Sequence, residues 1–129
     1  MKAYDPYAIY KKTKIETSSP AELVSLLYDE AIKCCKLASS AIEGKKMDIA
    51  HTNLLKVQDI LDELSYAVDT EKGGEIGESL LALYDYMKRR LVEANIKKDS
   101  AIIGEVVDLI SNLRETWQEA MKTGQGSNG

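Results

Sequence analysis

The stretch from Asp99 to Met121 constrains the fold of this chain more than any other. At 3.6 residues per turn, Ile102, Val106, Leu109 and Leu113 form one apolar row, and Ile103, Val107, Ile110, Trp117 and Met121 form a second beside it. Together the rows cover about 160° of the helix, where an ordinary surface helix carries roughly 100°. One row can close a core within the chain. The other needs a further neighbour, which is either a second helix of the same bundle or a foreign polypeptide on a free seam.

Three more stretches have the same period. Thr17-Ser18-Ser19-Pro20-Ala21-Glu22 is a helix start, with Ser19 as cap, Pro20 in the first helical position and Glu22 completing a capping box. The helix it opens runs to about Ile42, turns Leu23, Leu27, Ala31, Cys34, Ala38 and Ala41 inward, and ends at Gly44. A second begins near Met47 and runs to about Asp69, with Ile49, Val57, Ile60, Leu61, Leu64 and Val68 inside and Leu55 and Tyr66 on the opposite face. After a turn at Glu71-Lys72-Gly73-Gly74, a third runs from about Ile76 to Asn95 around Ile76, Leu80, Leu83, Met87, Leu91 and Ala94, with Tyr86 pointing elsewhere. Lys97-Lys98-Asp99 is a short connection, with Asp99 or Ser100 capping the last helix.

Amphipathic segments of roughly 20 residues, each about 30 Å long and joined by short turns, predict an all-α, antiparallel four-helix bundle. The bundle is expected over residues 19–122, with an N-terminal arm over 1–18 and a polar, disordered tail over 123–129. The arm carries Tyr4, Tyr7 and Tyr10 at three-residue spacing around Pro6. It either rests on the body through its rings or covers an apolar groove until something displaces it.

Composition narrows the function. A net charge of −4 lacks the Lys and Arg excess that phosphate neutralisation requires, so nucleic acid is not an expected partner. No apolar run approaches the roughly 20 residues of a membrane-spanning helix, and the N-terminal residues show no secretory h-region. Cys34 and Cys35 are adjacent on an apolar helix and read as reduced core residues, which makes the cytoplasm the expected compartment.

No catalytic, cofactor or metal site is expected. A di-iron bundle needs Glu-x-x-His pairs on facing helices, and the chain has one histidine. There is no Cys-x-x-Cys-His for haem and no glycine-rich phosphate loop. His51 leaves one alternative, a histidine phosphotransfer domain. Such domains follow an exposed histidine closely with Leu-Lys-Gly, whereas this chain reads Ala50-His51-Thr52-Asn53-Leu54-Leu55-Lys56-Val57. A homo-oligomeric structural bundle, burying its extra row against its own copy, is the other.

Four stretches in order carry a family resemblance: Asp5-Pro6-Tyr7-Ala8-Ile9-Tyr10; Thr17 to Leu23 with Leu27-Tyr28-Asp29; Leu83-Tyr84-Asp85-Tyr86-Met87-Lys88-Arg89-Arg90-Leu91-Val92-Glu93-Ala94-Asn95; and Asp99, Glu105-Val106 and Leu113-Arg114-Glu115-Thr116-Trp117. In these the chain resembles the flagellar secretion chaperone family FliS over almost its whole length. Ser18, where the family prefers alanine, and Gly77 and Ser79 depart mildly.

The resemblance implies a non-enzymatic cytoplasmic chaperone without cofactors. It would bind the disordered C-terminal segment of flagellin, prevent premature polymerisation, and dock on the cytoplasmic domain of the flagellar export gate when loaded. The residues expected to meet a partner are Ile103, Val107 and Ile110 of the second row, with Leu55, Tyr66 and Tyr86, while Tyr7 and Tyr10 compete for part of that surface. Of these, Tyr10 is a family position; the helix-surface residues follow from periodicity.

Overall fold

The computed structural model describes residues 20–68 and 70–128. Among them are four helices: α1 (Pro20–Glu43), α2 (Met47–Tyr66), α3 (Thr70–Lys97) and α4 (Ser100–Asn128). Each packs on the next, and α4 closes the ring against α1. The links between helices fix their directions. Trp117 near the end of α4 reaches Ala21 at the start of α1, and His51 early in α2 reaches Asn95 late in α3. The bundle is all-α and antiparallel, as the periodicity predicts.

The turns at one end use the same device. Lys45 and Lys98 have positive φ (60° and 51°), and the next residues' N–H groups donate back to Ala41 and Ala94. Both are six-to-one closures that satisfy orphan carbonyls. Gly44 ends α1 one residue earlier than the left-handed position, which falls on lysine at a cost of about 1 kcal/mol. Asp99 caps α4, its carboxylate accepting from the Ala101 N–H at 2.9 Å. The Ser19 capping box lies outside the described residues.

At the other end, α3 is two helical pieces across a kink at Gly74 (φ 56°, ψ −131°). Only glycine adopts that conformation freely, so the glycine pair forms the expected turn inside a longer helical run. α4 continues to Asn128, past the Met121 where its apolar pattern stops and through most of the stretch expected to be a disordered tail. Once nucleated, a helix gains a hydrogen bond per added residue and need not stop where its buried face does.

Residue size sets how closely the bundle shuts along its length. The second half of α1 buries Ala31, Cys34, Cys35, Ala38 and Ala41, side chains small enough to let α2 and α4 approach. Toward its start, α1 buries Leu27 and Tyr28, and Tyr84 of α3 meets Tyr28 across the core with their hydroxyls 2.6 Å apart. Larger side chains fill the core at that level.

Candidate functional site

Much of the wide apolar arc of α4 is buried inside the bundle. Ile103 and Ile110 are both 0% exposed, and the second row faces α1, where Met121 meets Ser25 and Trp117 meets Ala21. Val106 is buried and Ile102 nearly so, while Leu109 and Leu113 pack against the core from its edge. The reading of Ile103 and Ile110 as a free seam is therefore corrected: α4 packs on both α1 and α3, and these two side chains are buried in the core they form. Val107 alone of the three stays half-buried, at the edge of an open groove between α1 and α4.

The other expected contact residues are accessible but separate. Leu55 (43% exposed) lies on the outer α2–α3 seam, between the His51–Asn95 hydrogen bond of 2.8 Å and the Lys88–Asp62 salt bridge. Tyr66 is 86% exposed at the end of α2, three turns from Leu55. Tyr86 faces α4, where its hydroxyl donates to Glu105 at 2.6 Å. Arg90 binds the same carboxylate at 2.7 Å and Glu93 at 2.6 Å, and Lys97 completes the string. The Tyr86 and Arg90 hydrogen bonds hold the Glu105 carboxyl below its usual range, and Lys97 does the same for Glu93. Tyr7 and Tyr10 lie outside the described residues.

Periodicity did not reveal a cleft of about 240 Å³ at the end of the bundle where Tyr28 and Tyr84 meet. Val24, Leu64, Val68, Ile76, Leu80 and Trp117 line it, with Tyr28 and Tyr84. Among the described residues, no lysine, arginine, aspartate or glutamate contributes to the lining. The kink at Gly74 starts the long part of α3 at its rim, and this leaves Ile76 80% exposed although the spacing placed it inside. The α1–α4 groove is larger, but Lys36, Glu43, Glu105 and Asp108 line much of it, so it has less apolar surface to offer.

Two tyrosines carried the signal for this cleft. Tyr84 follows Leu80 by four residues and precedes Met87 by three, which is the spacing of the inner row, and Tyr28 stands three before Ala31. Burial pushes both phenols above their ordinary pKa, so both remain neutral.

The cysteines and the histidine have local roles. Cys34 and Cys35 are buried and in no disulfide, and burial pushes the Cys35 thiol up to about 12. His51 is exposed, with Nδ1 facing the Asn95 amide. Among the described residues no cluster of three His, Cys, Asp or Glu is arranged to hold a metal, and no helix is long and apolar enough to cross a membrane.

Known proteins resemble this chain over nearly its full length. The family model described as flagellar protein FliS matches residues 3–124. The flagellar secretion chaperone FliS of Bacillus subtilis is 37% identical over 95% of this chain and 91% of its own. That of Salmonella typhimurium is 36% identical over 92% and 87%. A bacterial flagellar chaperone of known crystal structure superposes with a TM-score of 0.76 at 17% identity, covering 92% of this chain and 99% of its own, a likeness of fold. The relatives are named as chaperones, a non-enzymatic class.

Proposed function

Since this chain belongs to the FliS family of flagellar secretion chaperones, we propose that its client is flagellin, bound through the disordered C-terminal segment in the cytoplasm. The observation that carries this reading is the apolar cleft between the first turns of α1, the end of α2, the start of α3 and Trp117. A disordered client loses conformational entropy on ordering and recovers affinity by spreading apolar contacts over a long track. The cleft anchors that track. Leu55, Tyr66, Tyr86 and the half-buried edge of Val107 extend it over the bundle surface.

Covering the client segment keeps subunits from polymerising before export. The loaded chaperone then docks on the cytoplasmic domain of the export gate.

Residues 1–18 form an arm that competes with the client through Tyr7 and Tyr10. The first described helix, α1, begins at Pro20, one residue before the Ala21 carbonyl that accepts from Trp117 of the cleft. Extended, 18 residues span up to about 60 Å, ample to reach any part of the cleft. Covering an apolar opening also limits self-association when no client is present.

Ile76→Asp tests the assignment without touching the core, because Ile76 lines the cleft and is mostly exposed. The variant keeps its helical circular dichroism and loses flagellin in calorimetry. A folded variant that binds as tightly as the parent chain removes the cleft from the account.

A further inference from the structure

The floor of the cleft holds two buried hydroxyls that share a single hydrogen bond. Tyr28 and Tyr84 are 3% and 1% exposed, and their oxygens are 2.6 Å apart. Two neutral phenols carry two O–H protons, and the contact between them uses one. Neither hydroxyl has another partner among the described residues. Among the described residues, one proton is therefore left without an acceptor in an otherwise apolar lining, and a buried donor in that condition is costly.

Resting on the reading that the cleft receives a client segment, we infer that the Tyr28–Tyr84 pair is a specificity element that selects an occupant offering an uncharged carbonyl oxygen at the cleft floor. An apolar segment of the right shape fills the walls; the oxygen completes the hydroxyl pair. The acceptor is neutral because a carboxylate would bring its charge into a lining that holds no cation among the described residues. Carbonyls within a helix are already bonded, so the oxygen comes from an extended stretch, the last turn of a helix, or an Asn or Gln side chain.

The same physics selects the variant. Removing one hydroxyl frees the other's proton for the occupant, so a single substitution is ambiguous. Tyr28→Phe with Tyr84→Phe removes both partners while keeping their rings, a change that is close to neutral for stability. In calorimetry against the cognate flagellin, the double variant binds about fivefold more weakly than the parent, the loss expected for one neutral hydrogen bond.

Ile76→Asp run alongside separates two failures. Unchanged affinity in the double variant with lost binding in Ile76→Asp overturns the hydroxyl reading and leaves the cleft as the client site. Unchanged affinity in both overturns the two together. A measurement on the unaltered chain needs no variant to fold: on client binding, the tyrosine Fermi doublet in ultraviolet resonance Raman shifts toward a hydrogen-bond donor. A doublet that does not move overturns the inference.

Discussion

The indole Nε1 of Trp117 donates to the main-chain carbonyl of Ala21 at 2.9 Å, tying the later turns of α4 to the first turn of α1. That carbonyl belongs to a helix start, where its own chain already uses it once, so the contact adds a tertiary tie to the N-terminal end of the bundle. The same ring lines the apolar cleft, and it is the only tryptophan in the sequence. The hydrogen bond therefore fixes one wall of the proposed client site.

Trp117→Phe keeps an aromatic wall and deletes the donor. The variant is expected to lose about 1 kcal/mol of stability, the usual worth of one hydrogen bond, with Tm lower by about 3 °C. Urea denaturation followed by circular dichroism measures it. An unchanged midpoint would show that the indole N–H contributes nothing to the closure.

The packing of α4 on both α1 and α3 predicts a sharp contrast within one row. Ile103→Ala and Ile110→Ala each cost about 2–5 kcal/mol because both side chains are fully buried. Val107→Ala, at the half-buried edge, costs clearly less. Equal losses at all three positions in denaturant titrations would contradict the placement.

Cys34 and Cys35 should be inert in the native chain. The thiolate is the reactive form, and burial holds the Cys35 thiol at about 12, so almost none is ionised at pH 8. A disulfide-exchange dye at that pH is expected to react slowly in buffer and rapidly in denaturant. Prompt reaction in buffer would mean that the small-residue half of α1 opens readily.

The buried phenols give a stability change with a definite sign. Both folded-state pKa values lie above the ordinary 10 of tyrosine, so the folded chain holds protons that the unfolded chain releases. This contribution is complete below pH 10 and declines as pH rises above it, toward the folded pKa values. The parent chain should lose stability above pH 10 more steeply than the double Tyr28→Phe, Tyr84→Phe variant. Parallel curves in thermal melts across that range would contradict it.

Much of the architecture was readable because four stretches repeat one period between turn residues. Leu27, Val57, Leu64, Leu91 and Val106 fall where that period places them. Ile76 and Ile49 do not, since each stands in the first turn after a chain reversal, before neighbouring helices enclose its face. The candidate site was harder to foresee. A helical wheel shows that α4 has two apolar rows but not whether the second meets α1 or a stranger. The cleft is lined by residues from all four helices around Tyr28 and Tyr84, an arrangement between elements that no single segment encodes.

The central claim is that a disordered flagellin tail is what this bundle covers. Calorimetric titration of the chain with its cognate flagellin, and with flagellin lacking the C-terminal segment, tests it most directly. The account predicts saturable binding with a negative heat-capacity change for the intact client, and no binding for the truncated one. Equal binding of the two would contradict it.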